Sequence, residues 1–315
     1  MTTEEVIGNL PKALINWYMF ETGAEALFIS GGNAEYEALH EVLTDRGVSV
    51  LKTTVCELEA KDDEDGEKGL TDAWQKRFDY IVAAGILEKA LDPVRLLSRL
   101  RMLLKASGRL LLGTENRLGI RYFCGDKDGF SGHVFDGIDG YVQVTQEKKK
   151  ATGQAYSKAE LTRMLQDAGF SCFRFYSVLP CLTRPQLIMS ENYLPNEPIE
   201  VRTFPQYNSP ETIFLGEERL YRSLMDNHMF HQMANAFFIE CPVEGQLTDI
   251  DQITVQGDRS REEAMATIIR YKNSVEKRAL YPQGQKKIGS LAENEAYLRQ
   301  HGIPVVEARL EKNAY

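Results

Sequence analysis

Residues 26–55 constrain the fold more than any other stretch. Ala26-Leu27-Phe28-Ile29-Ser30 is a short apolar run of strand character that leads directly into Gly31-Gly32-Asn33. From Ala34 to Asp45 the small or apolar positions Ala34, Ala38, Leu39 and Leu43 recur at helical spacing, and Arg46-Gly47 supplies a C-terminal glycine signal. Residues 48–55 (VSVLKTTV) are rich in β-branched side chains and predict a second strand. Strand, glycine turn, helix and strand in succession make a βαβ unit, whose strands pair in parallel through a right-handed crossover. The predicted class is α/β with a Rossmann-like sheet, which in outline is a nucleotide-binding topology.

The same pattern returns downstream. Residues 78–85 (FDYIVAAG) predict a buried strand, and 93–104 an amphipathic helix with Leu96, Leu97, Leu100, Met102 and Leu103 inward. Residues 109–113 predict the next strand. Between Glu57 and Lys68 seven acids face two lysines, which is too charged to pack and predicts an exposed loop. After Thr114 a glycine- and aromatic-rich stretch runs to Gly140, followed by Lys148-Lys149-Lys150; an irregular segment of this length has the character of a functional lid. Ser157 and Glu160 form a capping box for a helix reaching Gly169, and a strand over 171–178 closes a first domain, residues 1–195. Pro195, Pro198, Pro205 and Pro210 then mark a boundary. A linker with a helix over 216–233 and a strand over 236–240 occupies 196–245. A second, smaller α+β domain fills 246–315, with strands at 251–255, 266–271 and 275–280, a turn at Lys272-Asn273-Ser274, a helix over 283–301 and a last strand over 303–310.

Composition narrows the function. A chain of 315 residues has room for two domains, and 43% hydrophobic with 26% charged residues is ordinary globular usage. Its 37 basic against 46 acidic residues leave a net charge of -9, which repels polyanions and makes nucleic acid an unexpected partner. The strongest apolar run, residues 80–87, falls far short of the roughly 18 residues needed to span a bilayer, so no membrane span is expected. An acidic N-terminus without a signal-peptide pattern and five cysteines without a CxxC pair point to a cytoplasmic protein with reduced thiols.

Four blocks carry a resemblance: Asn16-Trp17-Tyr18, FDYIVAAGILEKA with Asp92-Pro93, LLKASGRLLLGTENRLGIRYFCG, and SGHVFDGIDGY. Over roughly residues 10–195 the chain resembles the class I S-adenosylmethionine-dependent methyltransferases, most closely a bacterial subgroup from surface-glycan biosynthesis loci. The resemblance implies S-adenosylmethionine at a GxGxG-like turn after the first strand, here Ser30-Gly31-Gly32-Asn33-Ala34, of which Gly32 is retained. Phe28 stands where the family has an acid. Where an acid of the second strand normally binds the ribose hydroxyls the chain has Lys52, Thr53 and Thr54, with Glu57 a little beyond. An acidic loop and one short helix replace a helix, a strand and another helix. Two functions stay open: methyl transfer to a glycan or related small-molecule hydroxyl, or a catalytically degenerate methyltransferase-like binding or scaffold module in glycan assembly.

The residues that would carry these functions follow. Cofactor contacts fall to Ser30, Gly31, Gly32, Asn33, Ala83, Ala84 and Gly85, which as a bland alternative merely permit tight turns and close packing. Glu88 reads as a solvated acid at the cleft mouth. Glu115, Asn116, Arg117 and Arg121 follow a strand end and would hold the acceptor, or else satisfy a turn. His133 would act as general base with Asp136 orienting it. His228 and His231 lie three apart on the expected helix without a metal-completing partner. Residues 250–315 weakly resemble the small lobe of a protein-kinase-like fold, in which Lys277 and Glu293 would pair. Kinase catalysis is excluded there by length, which leaves nucleotide binding through Lys277 or a surface for protein partners.

Overall fold

The βαβ unit forms as its hydrophobic pattern requires. The structure, a computed structural model, describes residues 8–59, 72–142, 144, 151–195, 197–256, 259–270, 274–306 and 308–310. β1 (Glu25–Ser30) turns its alternate side chains to two cores: Leu27 and Ile29 to one face, Ala26 and Phe28 to the other. A 3-10 turn (Ala34–Glu37), capped by the Asn33 side chain on Glu35 N, precedes α1 (Ala38–Asp45). β2 (Ser49–Thr54) then pairs in parallel with β1. α2 (Val55–Glu59) follows immediately. The acidic stretch from residue 60 to 71 lies outside the described residues.

β3 (Phe78–Ala84) returns on the other side of β1, and α3 (Pro93–Leu103) starts at Asp92, whose side chain caps Arg95 N. Leu96, Leu97, Leu100 and Leu103 are buried as expected, whereas Met102 is exposed, because it falls off the inward arc of the helix. β4 (Leu104–Glu115) is longer than its apolar centre implied. α4 (Ile120–Phe123) opens the lid, and α5 (Lys158–Asp167) carries the expected Ser157–Glu160 capping box. β5 (Arg174–Leu179) and a short strand not anticipated from the sequence, β6 (Leu187–Ser190), follow.

The expected helix over 216–233 is broken into a 3-10 turn (Glu217–Arg219), α6 (Tyr221–Asp226) and a second 3-10 turn (Phe230–Gln232), with His228 at φ 57° between them. His228 and His231 therefore share no helix face. His231 is buried, its Nδ1 2.8 Å from Ser177 Oγ and its Nε2 2.8 Å from Tyr193 O. The remaining elements are β7 (Ala236–Pro242), β8 (Gln252–Val255), β9 (Met265–Arg270), β10 (Ser274–Ala279) and α7 (Gln285–Gln300). The turn expected at 272–274 falls mostly outside the described residues. Residues 303–306 and 308–310 are not a strand.

Ten strands form one sheet in the order β10-β9-β8-β6-β5-β7-β4-β3-β1-β2. β2, β1, β3 and β4 are parallel, and β7 enters antiparallel between β4 and β5. This is an α/β, Rossmann-like sheet with an antiparallel extension, β6 and β8–β10. The boundaries expected near 195 and 245 divide neither the sheet nor the core: Ile253, Ile268 and Leu280 share one hydrophobic cluster with Trp17, Phe28 and Leu39. Arg46 fastens the junction by donating to Asn16 O at 2.9 Å and Leu280 O at 2.8 Å. Lys277 and Glu293, the expected kinase-like pair, are both exposed, and no ion pair joins them. No helix among the described residues is long and apolar enough to cross a membrane.

Candidate functional site

Parallel strands bring their C-terminal ends to one edge, and the turns leaving β1, β3 and β4 meet there. Gly32 at φ 76° and Gly85 at φ 64° both occupy the left-handed region, which is why glycine stands at each. The turns interlock. A Cβ on Gly31 would lie 2.7 Å from Gly85 O, and one on Gly85 would lie 2.8 Å from Cε2 of Tyr36. We expect Gly85→Ala to cost more stability than Gly32→Ala in urea unfolding. Each pays roughly 1–2 kcal/mol for a side chain at positive φ, but only the alanine at 85 also displaces a buried ring, since at Gly32 the nearest atom is Lys89 Nζ at 3.8 Å. Equal losses would show that Tyr36 yields freely.

Above these turns lies a cavity of about 610 Å3. Its floor is Gly32 to Tyr36, Gly85, Glu88 and Lys89, with Glu115 from the end of β4; Arg121, Tyr122 and Phe130 come from the lid segment, Thr152 from the chain beyond it, and Cys181, Thr183 and Arg184 with Gln206 to Asn208 form the far wall. Asp126 ties lid to wall by accepting from Asn208 N at 3.0 Å and Ser209 N at 2.9 Å. Asp128 holds the lid on itself through Phe130 N and Ser131 N, each at 2.9 Å, and Tyr141 OH.

Glu88 is the residue the sequence misplaced. It is not a solvated acid but 3% exposed. Its Oε1 accepts from Thr114 Oγ1 and Glu115 N, both at 2.8 Å, whereas its Oε2 is buried with no hydrogen-bond partner. Burial pushes its pKa up to about 7, reinforced by the Glu115 charge and opposed by the backbone and Thr114 bonds. Glu115 is also raised by burial, with Arg121 pulling the other way at 2.9 Å. The one signal in the sequence was position: Glu88 follows a strand end by four residues, where a short 3-10 turn (Leu87–Lys89) folds it back under β4.

The expected site residues divide. Gly32, Asn33, Gly85, Glu115 and Arg121 line the cavity. Ser30, Gly31, Ala83 and Ala84 do not: Ala83 and Ala84 are buried in β3, and Ser30 Oγ donates to Glu37 instead. Asn116 is fully buried and donates to Gln232 O at 3.0 Å and Ala234 O at 2.7 Å, so it satisfies a turn, as its alternative reading had it. Arg117 holds the capping-box Glu160 at 2.7 Å together with Gly137 O and Ile138 O, and it too stands outside the cavity. His133 is exposed on the lid and is not part of the lining; Asp136 is buried, and no hydrogen bond joins their side chains. Asp136 goes inside while His133 stays in solvent, and Phe135 between them sits at φ 69°.

At the end of β2, Lys52 Nζ lies 2.6 Å from Glu37 Oε2. Partial burial works against ionisation of Glu37, but the Lys52 and Ser30 bonds outweigh it and hold the carboxyl below its usual range. Glu57 does not extend β2 as an acid; it caps α2 by accepting from Thr53 Oγ1 at 2.7 Å and Thr54 N at 2.9 Å. Lys89 Nζ donates to Gly31 O at 2.7 Å. Among the described residues no group of histidines, cysteines and acids is placed to hold a metal.

No family model matches the chain, and no curated protein sequence matches it. Solved structures do. An S-adenosylmethionine-dependent methyltransferase from Archaeoglobus fulgidus is 16% identical, with 76% of this chain and 94% of that one covered at a TM-score of 0.39. One from Thermotoga maritima is 17% identical, with 76% and 90% covered at 0.37. The phosphoethanolamine N-methyltransferase 2 of Haemonchus contortus, in complex with phosphomonomethylethanolamine and S-adenosylhomocysteine, is 13% identical, with 74% and 52% covered at 0.37.

Proposed function

We propose that the chain is an S-adenosylmethionine-dependent methyltransferase acting on a hydroxyl of a glycan or related small molecule, in the cytoplasm, where its five unpaired cysteines stay reduced. The observation that carries this reading is the cavity of about 610 Å3 over the glycine turns at the carboxyl edge of the parallel strands. Its size suits a cofactor-sized ligand. Its charges suit a zwitterion with a sulfonium: Glu35, Glu88 and Glu115 for the cationic groups, Lys89 and Arg184 for the carboxylate.

Bound S-adenosylmethionine would supply an electrophilic methyl group. The chain supplies position: the turn at Gly32, where only Lys89 Nζ lies within 4 Å of an added Cβ, admits a close approach of ligand to backbone. Little acid-base machinery is required for such a transfer.

A second reading, a non-catalytic module that scaffolds glycan-assembly enzymes, draws on the end of β2. There Lys52, Glu37 and Ser30 are already joined where the family binds ribose, and Tyr36 covers Gly85. Its partners would be met by the C-terminal part, residues 246–310.

Thermal-shift and calorimetric titration with S-adenosylmethionine and S-adenosylhomocysteine decide between them. At 100 times the dissociation constant either ligand should stabilise the fold by about 2.7 kcal/mol, a Tm rise of roughly 2–4 °C, and Gly32→Leu, verified as folded by circular dichroism, should abolish the rise. Absence of binding at millimolar ligand would leave the non-catalytic module.

A further inference from the structure

We propose that a second cavity, toward the amino ends of the parallel strands, binds a small molecule bearing a carboxylate or phosphate group, held side-on by the guanidinium of Arg109. It has a volume of about 210 Å3 and lies where residues 17–21, Tyr80 of β3, Arg109 of β4, the approach to β8, and β9 and β10 meet. Tyr80 and Arg109 are register partners in neighbouring strands, so their side chains stand together on one face of the sheet. From Arg109, β4 runs on for six residues to Glu115 in the first cavity, about 20 Å at the rise of a strand. The two sites are therefore separate, and this one stands independently of the methyltransferase reading.

The cavity offers hydrogen-bond donors that nothing in the fold uses. Arg109 gives Nη1 to Glu240 at 2.5 Å and to Tyr18 OH at 3.5 Å, whereas its Nε and Nη2 have no partner among the described residues. The side chain is 27% exposed, and neither of these nitrogens is a buried atom. Their N–H bonds point the same way and form the fork that takes two oxygens of a carboxylate or phosphate in parallel. Tyr80 OH accepts from Glu21 N at 3.4 Å and has no acceptor for its own proton among the described residues.

Positive charge stands around this fork. Glu276 alone serves two guanidinium groups, with Oε2 3.0 Å from Arg270 Nη2 and Oε1 2.6 Å from Arg278 Nε, while Arg278 Nη1 donates to Trp17 O at 2.8 Å. Arg46, close to Arg278, spends its bonds on Asn16 and on Leu280 O. Glu240 and Glu276 sit outside the lining, and Glu21, the one acid within it, is exposed. Spare donors beside cationic groups call for a ligand group that only accepts and carries negative charge, which describes an oxyanion.

The rest of the wall is apolar and fixed. Trp17, Ile250 and the rings of Tyr18 and Tyr80 are buried, and Phe20 packs between the two tyrosines at 5.1 Å from each. A preformed wall loses little freedom on binding. The volume is below the roughly 300–1,000 Å3 of pockets for drug-sized ligands, so the occupant is a small acid or phosphate and not a nucleotide.

Trp17 reports on this cavity from its wall. The chain has two tryptophans, so Trp74→Phe leaves Trp17 as the sole one. Titrating that full-length variant with inorganic phosphate and with benzoate should change its fluorescence saturably, and the tighter of the two names the ligand's acidic group. Arg109→Lys keeps a cation for Glu240 but loses the fork, and should weaken binding about tenfold. Tyr80→Phe leaves every contact of Glu240 in place and removes only the hydroxyl; it should weaken binding to a smaller extent, and it decides the matter if Arg109→Lys fails to fold by circular dichroism. No saturable response to either anion, a response that chloride reproduces, or one that survives unchanged in the folded variants overturns the proposal.

Discussion

Glu240→Ala should lower the unfolding free energy by about 3 kcal/mol. Glu240 is fully buried in β7, yet it is a hub rather than a misfit. It accepts from Arg109 Nη1 at 2.5 Å on β4, Tyr18 OH at 2.9 Å in the N-terminal segment, and Thr248 N at 3.0 Å and Oγ1 at 2.5 Å on the approach to β8, with Tyr176 OH on β5 at 3.5 Å. Truncation strands a guanidinium and several donors inside the protein, and each unmet buried donor costs about 1–3 kcal/mol. The total stays at the low end of the range for broken buried pairs because Arg109 keeps 27% of its side chain in contact with solvent. Urea unfolding at pH 7 measures the loss. Glu240→Gln, which preserves most acceptors, should fall between wild type and alanine; a loss below about 0.5 kcal/mol in Glu240→Ala would show that the hub is dispensable.

Glu88→Gln should change how stability depends on pH. The native carboxyl holds its proton up to about pH 7, whereas in the unfolded chain it releases it around 4.5. Between those values the native state binds more protons than the unfolded state, so stability falls as pH rises. The contribution is fully present below pH 4.5 and lost through pH 7, and over that window it amounts to roughly 3 kcal/mol. Glutamine has no proton to lose. The free-energy difference between variant and wild type should therefore move by that amount in favour of glutamine from pH 4.5 to pH 8, read from urea unfolding across the range. Parallel pH profiles would show that Glu88 ionises inside the protein as easily as outside.

The continuous apolar runs at residues 26–30 and 78–84 were enough to read two buried strands, because each side chain of a central parallel strand must face one apolar layer or the other. Ser157 and Gly47 likewise marked helix ends by chemistry local to each position. At the site, Gly32, Asn33, Gly85, Glu115 and Arg121 were legible for the same reason: a strand end and a glycine turn announce themselves within a few residues. Glu88 was not, since its burial depends on β4 and on Gln154 of the lid, 66 positions along the chain. The lid histidine was misleading in the opposite sense. A titratable side chain in a loop reads as a candidate base from its type alone, whereas His133 is exposed and outside the cavity lining.

The sequence by itself determined the α/β class, the order of the first four strands' elements, and the glycine turns at the carboxyl edge of those strands, all of which follow from periodicity and turn chemistry over short spans. Only the tertiary structure decided that β7 enters between β4 and β5, and that β8 to β10 extend the same sheet. It also decided that the Glu88 carboxylate is buried, with one oxygen bonded at the end of β4 and the other unpartnered. Strand pairing and burial are contacts between residues far apart in the chain, made through backbone groups that every residue carries alike, so no local pattern records which partner each one takes.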